Sequence, residues 1–191
     1  MRRAIACLIL PGLVAATVVA ATKIRADRDP AFDFSTLKTW SWRASGPGEV
    51  KVWLTAESKS EPVQRQYEPV IVQAVEGELA RRGWTKAAPG APFDFTVTYY
   101  VLITGGSSSQ QMGQFLPAVT QWGLPPFTAQ TTAVRFYPEG TLVLDVAAPR
   151  PDTVVWRAVA QAEVELEKTA AQRTVRLQRI IKDVVAKLPR K

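Results

Sequence analysis

Apolar and polar positions change period several times along the chain, and each change marks an element. Residues 4–21 are uncharged and mostly apolar, broken only by Pro11-Gly12. Residues 23–29 then alternate, with Ile24 and Ala26 on one face, as a short strand does. Residues 30–37 read as a connection, and 39–42 (Thr-Trp-Ser-Trp) as a second strand that places Trp40 and Trp42 on one face. Residues 44–62 carry Gly46-Pro47-Gly48, serines and charges, which read as a polar loop, with Val50, Val52, Trp53 and Leu54 as a short ordered piece inside it.

The period then becomes helical. Over residues 64–82, Tyr67, Val70, Ile71, Ala74, Val75 and Leu79 make one apolar stripe. Gly83 is the stop signal, and Arg81 and Arg82 suit the negative end of the helix dipole. Pro69 is tolerated best in a first turn, which sets the expected start of the regular helix near Glu68.

Strand alternation returns over 93–103, where Phe93, Phe95, Val97, Tyr99, Val101 and Ile103 share a face. Residues 104–130 have no clear period and are expected to be a long loop, either functional or an irregular hairpin connection, its aromatics arguing against pure disorder. Residues 133–137 and 141–147 read as a hairpin about Pro138-Glu139-Gly140, and Pro149-Arg150-Pro151-Asp152 as a second turn leading to a strand over 153–163. A final helix is expected over 169–187, with Leu177, Ile180, Ile181, Val184, Val185 and Leu188 as its stripe. The expected fold is α+β, a mostly antiparallel sheet of about five to six strands with two amphipathic helices on one face.

The N-terminal run changes the expected location. Met1-Arg2-Arg3 followed by the apolar run and Val19-Ala20-Ala21 has the form of an export signal cleaved after Ala21, leaving residues 22–191 as one domain in the periplasm or cell envelope. At 18 residues, 4–21 is also near the minimum for a membrane-spanning helix, so an uncleaved anchor stays open.

Composition narrows the chemistry. The chain of 191 residues has no histidine, which excludes Ser-His-Asp and Cys-His catalysis and the usual zinc sites. Its one cysteine, Cys7, lies in the leader. Cleavage would leave no thiol for a disulfide, a nucleophile or a metal site. No cofactor is expected. The net charge of +7 falls to +5 once Arg2 and Arg3 are lost, and the surplus is dispersed. Nucleic acid is not an expected partner, since no reading motif is present.

The order Asp33-Phe34-Ser35, Thr39-Trp40-Ser41-Trp42, the helix to Leu79 and Gly83-Trp84, Asp94-Phe95-Thr96-Val97, Gly140-Thr141-Leu142-Val143-Leu144-Asp145 and Val155-Trp156-Arg157-Ala158, closed by a helix before Leu188-Pro189, is similar to the bacterial domain-of-unknown-function 4136 family. The resemblance spans about residues 23–189. It implies an α+β fold with helices on one face of a sheet and an envelope location, often as a lipoprotein. Cys7 is too near the start of the chain for that lipid attachment. The resemblance brings no activity or catalytic residues.

Two functional readings follow. The first is a non-catalytic exported domain that binds or scaffolds an envelope protein or polysaccharide through the 104–130 loop, with Phe115, Trp122 and Phe127 as contacts. The second is a hydrolase acting on envelope polysaccharide through paired carboxylates such as Asp94 and Asp145, with Asp33 as a further candidate. By default these are structural groups: Asp33, before Phe34-Ser35-Thr36, caps a turn, and Asp94 and Asp145 lie on strand faces opposite apolar stripes. Trp40, Trp42, Trp84 and Trp156 adjoin core elements and read as packing. Gly105-Gly106-Ser107-Ser108-Ser109 matches a phosphate loop in composition only. Arg173, Arg176, Arg179 and Lys182 mark the polar side of the last helix, by default a solvated face.

Overall fold

In a computed structural model, residues 22–55, 57–105, 138–149, 152–165 and 167–190 are described. The apolar leader 1–21, the strand at 133–137 and the contact candidates Phe115, Trp122 and Phe127 lie outside them. The elements are β1 (Lys23–Arg28), a 3-10 turn (Phe34–Thr36), β2 (Thr39–Trp42), β3 (Gly48–Trp53), α1 (Ser60–Arg81), β4 (Thr85–Lys86), β5 (Phe95–Gly105), β6 (Pro138–Ala148), β7 (Thr153–Glu163) and α2 (Ala170–Val185).

One α+β sheet of seven strands results, in the order β1-β7-β6-β5-β2-β4 with β3 also on β5. It is mixed. The β1–β7, β6–β7 and β5–β6 pairs are antiparallel, while β2–β5, β3–β5 and β2–β4 are parallel. The expected five to six, mostly antiparallel strands therefore miss the parallel side. The polar loop expected at 44–62 holds β3 and the first residues of α1. β2 and β3 lie end to end along the same edge of β5: Trp40–Trp42 pair with Phe95–Val97, and Gly48–Trp53 with Tyr99–Thr104. α1 is thus the crossover that two parallel strands require.

Gly48 is where this edge approaches most closely. A Cβ there would stand 2.2 Å from the Tyr99 carbonyl oxygen, so only glycine fits. On the outer edge of β3, the Val52 N–H donates to Ser60 Oγ at 3.0 Å and the Leu54 N–H to Ser58 Oγ at 3.2 Å. Side chains at and just before the start of α1 thereby occupy donors that would otherwise invite another strand.

α1 runs through Pro69 and does not begin near it. An interior proline costs roughly 3 kcal/mol. Burying Ile71, Val75 and Leu79 against the sheet returns about 1.5–3 kcal/mol each, which outweighs that cost. α2 starts at a capping box, in which Thr169 Oγ1 accepts from the Gln172 N–H and the Gln172 side chain accepts from the Thr169 N–H.

Pro138-Glu139-Gly140 is not a turn. These residues begin β6 and pair with Gly105, Thr104 and Ile103. A proline at the first strand position loses no needed ladder bond. Both helices pack on the face carrying Phe95, Val97 and Tyr99 of β5, Leu142, Leu144 and Val146 of β6, and Trp156, Ala158 and Ala160 of β7. The opposite face carries Thr98, Tyr100 and Leu102, with Asp145, Val143, Arg157 and Val159.

Candidate functional site

The two helices lie side by side in the same direction. Near their starts, Arg173 Nε donates to the Tyr67 hydroxyl at 3.2 Å. Near their ends, the Arg82 guanidinium donates to the carbonyls of Ala186 and Leu188. Burial is concentrated in the C-terminal halves, at Ile71, Val75 and Leu79 on α1 and at Ile181, Val184 and Val185 on α2. The N-terminal halves meet the sheet less fully, through Ser60, Val63, Tyr67, Glu68 and Leu177, and leave a gap between them.

A cleft of about 320 Å³ fills that gap. Its floor is apolar, from Val50 and Val52 of β3, Val101 and Ile103 of β5, Leu142 of β6 and Ala160 of β7. Val63 and Ile71 of α1, Leu177 and Ile180 of α2, and Leu54, Ala162 and Val164 complete the apolar walls. Its polar groups include Gln66, Tyr67, Glu163, Glu165, Arg173 and Arg176. Arg176 pairs with Glu165 at 2.9 Å, and Arg173 also donates to the Lys168 carbonyl. Leu54, itself exposed, belongs to the cleft lining, and the neighbouring Trp53 is exposed as well. A larger depression of about 560 Å³ runs along Glu61, Gln64, Arg65 and Glu68 of α1, but one helix surface does not enclose a ligand.

Beneath the helix layer, the Tyr99 hydroxyl donates to Glu68 at 3.0 Å. Burial pushes the Tyr99 phenol well up, and Glu68 adds to the shift. Glu76 accepts from Trp42 Nε1 at 2.9 Å and pairs with Lys86 at 2.7 Å. Burial works against ionising Glu76, but those two donors hold its carboxyl below the usual range.

The three candidate carboxylates do not meet. Asp33 accepts from the Ser35 N–H and hydroxyl and caps the 3-10 turn. Asp94 accepts from the Lys38 and Thr39 N–H groups, both at 2.8 Å, and tethers the start of β2 to the start of β5. Asp145 lies on the face away from the helices, in a buried bidentate pair with Arg157 at 2.7 Å for each bond. Thr98, the register partner of Asp145, stands four residues beyond Asp94, about 13 Å along the strand. Burial drives the Asp145 carboxyl up and Arg157 draws it back, while the same pairing holds the Arg157 guanidinium above its ordinary range. Among the described residues, no three His, Cys, Asp or Glu side chains gather as a metal site.

Trp40, Trp84 and Trp156 are core packing, and Trp40 and Trp42 meet edge to face at 5.2 Å. The four cations of α2 divide. Arg179 and Lys182 face solvent, whereas Arg173 and Arg176 line the cleft. Sequence reading missed the cleft because six elements or their flanking residues contribute to it, and none has a local signature. The available signal was the arginine pair at i, i+3 beside the apolar stripe of α2.

Comparison with known proteins agrees on the fold. A DUF4136 family protein from Bacteroides thetaiotaomicron superposes with a TM-score of 0.50 at 14% identity, over 86% of this chain and 94% of the other. The PelC dodecamer from Paraburkholderia phytofirmans gives 0.46 at 10% identity, over 90% and 99% of the two chains. A PDZ domain protein from Parabacteroides distasonis gives 0.49 at 12% identity, over 90% of this chain and 37% of that one. No curated protein matches the sequence significantly. Residues 24–190 match the family described as Domain of unknown function (DUF4136), and the chain belongs to that family.

Proposed function

We propose that this protein is a non-catalytic, exported domain of the bacterial cell envelope that binds or scaffolds a partner, with the apolar cleft as its contact site. The cleft carries the reading. It is concave and lined mostly by apolar side chains with a few charged ones, the usual form of a ligand site. The hydrolase reading loses its support, because Asp33 caps a turn, Asp94 tethers two strands and Asp145 is spent on Arg157. The envelope location rests on the signal-like pattern of residues 1–21. Among the described residues no helix is long and apolar enough to cross a membrane, and this reading assigns any membrane anchor to residues 4–21.

The binding part is tested with the fluorescent apolar probe 1-anilinonaphthalene-8-sulfonate. Saturable enhancement by the folded protein is expected, with loss in Ala162→Trp, which fills the cleft, and in Leu54→Asp, which charges its lip. Enhancement unchanged in both folded variants would sink the assignment. The mass of the mature N-terminus tests export: a start at Thr22 supports a cleaved leader, and an intact Met1 an anchor.

A further inference from the structure

We infer that the cleft accepts the aliphatic chain of a single-chain fatty acid, with the carboxylate held at Arg173 and Arg176. This rests on the cleft being the binding site. Four observations converge on that ligand class.

The first is the division of polarity. Val50, Val52, Val101, Ile103, Leu142 and Ala160 form an apolar floor, while the charged groups of the lining, Glu163, Glu165, Arg173 and Arg176, all remain at least partly exposed to solvent. A ligand that fits must be apolar over most of its length and polar at one end. The second is size. At about 320 Å³ the cleft is at the low end of small-molecule sites, which favours one chain over the two of a diacyl lipid.

The third is the head group. Arg173 and Arg176 lie three residues apart on α2, so both guanidinium groups project near the same side of the helix. A guanidinium presents five N–H donors in a planar fork that matches a carboxylate. Arg176 already holds one carboxylate, that of Glu165 at 2.9 Å. Glu165 therefore previews the interaction and competes for it. Glu163 and Glu165 balance Arg173 and Arg176, and the neighbouring Glu167 and Lys168 cancel. Lys23 and Arg25 on the edge strand lie at this end of the molecule, offset by Glu139, Glu57 and Glu61, so the two cleft arginines, and not the net charge, would select an anion. Both helices also direct their partially positive N-terminal ends toward this end.

The fourth is position. Ile24 pairs with Ala160, which lines the cleft, and Lys23 pairs with Gln161. The polypeptide therefore enters the fold beside the cleft, directly after the apolar run of residues 4–21. In the anchored form this end of the domain stands next to a bilayer, the source of such chains.

The test is calorimetric titration with dodecanoate, dodecanol, dodecyltrimethylammonium and acetate, each below its micellar range. One saturable dodecanoate site is expected, with no acetate binding and dodecyltrimethylammonium about tenfold weaker or worse. Arg176→Gln and Arg173→Gln should each weaken dodecanoate about tenfold and leave dodecanol unchanged. Glu165→Gln should tighten dodecanoate, since it removes the resident competitor. Ala162→Trp and Leu54→Asp should abolish binding of both chains. Equal affinity for the anionic and cationic amphiphiles would overturn the head-group assignment. Absence of dodecanoate binding in a protein that still loses the apolar probe in Ala162→Trp would overturn the fatty-acid inference and leave the cleft reading intact. If the two cleft variants also fail to change probe binding, both readings fall. Light scattering that reads a dimer which dodecanoate does not dissociate would assign the cleft to a second copy.

Discussion

Arg157→Met isolates the energetics of the buried pair. Asp145 and Arg157 side chains are 6% and 8% exposed and are joined by two bonds of 2.7 Å. Moving each ion out of water costs several kcal/mol, and their mutual attraction at an effective dielectric near 20 is on the order of 4 kcal/mol. The pair as a unit therefore contributes little or nothing beyond what a well-packed apolar pair would. Removing one partner is costly, because the other charge stays buried. Arg157→Met should cost about 3–5 kcal/mol, as should Asp145→Leu. At about 2–4 °C per kcal/mol for a chain of this size, each lowers Tm by roughly 6–20 °C. The double variant should recover most of that loss, leaving a coupling of at least about 2 kcal/mol. Urea unfolding of all four proteins by tryptophan fluorescence and circular dichroism measures the cycle. Additive single costs in the double variant would refute the account, and would mean that each side chain is held by neighbours and not by the other.

Three further outcomes follow from local geometry. Gly48→Ala forces a Cβ against the Tyr99 carbonyl and ring, so β3 must separate from β5; a loss of at least about 2 kcal/mol in thermal or urea unfolding is expected. Asp94 is held below its ordinary value of 3.8, first by the Thr39 N–H and then by that of Lys38. Its contribution is complete above the unfolded-state pKa and disappears as pH falls through the lower folded-state pKa. Asp94→Ala should thus cost about 1–2 kcal/mol at neutral pH, screening at this exposed site keeping it low, and the gap from wild type should close in unfolding curves run below pH 4. Ser60→Ala removes the acceptor for the Val52 N–H and should cost about 1 kcal/mol, with a rise in self-association by size-exclusion chromatography as the β3 edge is unblocked.

The elements read most cleanly from the sequence are those whose side chains report one buried face. Thr39-Trp40-Ser41-Trp42 and residues 153–163 fall on strands with those bounds, because alternation is enforced by the helix-covered face. β3 escaped because Val50 and Val52 are only two inward positions among glycine, serine and charge, and its direction is set by a partner 51 residues away in register. Pro138 misled because the same residue that opens a turn also opens a strand. The carboxylates were legible as structural groups, Asp33 as a cap especially, but the depth of Asp145 depends on Arg157 standing opposite across a ladder. No pattern of one element could mark the cleft. It is the space left where two helices part above four strands.

Pro69 stands at that divergence. On its C-terminal side Ile71, Val75 and Leu79 are buried, Ile71 also reaching the cleft wall, and on its N-terminal side the more exposed Val63, Gln66 and Tyr67 line the cleft. Proline supplies no N–H, so the Arg65 carbonyl lacks its helical partner at the boundary between the two halves. Packing beyond Pro69 stabilises the helix overall, but it acts mostly on the far side of the break. The cleft-lining turns therefore depend mostly on polar ties, from Tyr67 to Arg173, from Ser60 to β3 and from Glu68 to Tyr99, and on little buried area. Pro69→Ala should restore the missing bond. Freeing the unfolded chain takes back about 1 kcal/mol of the roughly 3 kcal/mol gained, for a net rise of about 2 kcal/mol in urea unfolding. Amide exchange should slow most over residues 61–68, and little over 72–81, which the core already protects. Uniform slowing along the helix would mean that its two halves open together and that the proline marks no boundary. Slowing confined to the first half would locate the adjustable wall of the cleft in that part of α1, in the turns that carry Val63 and Tyr67.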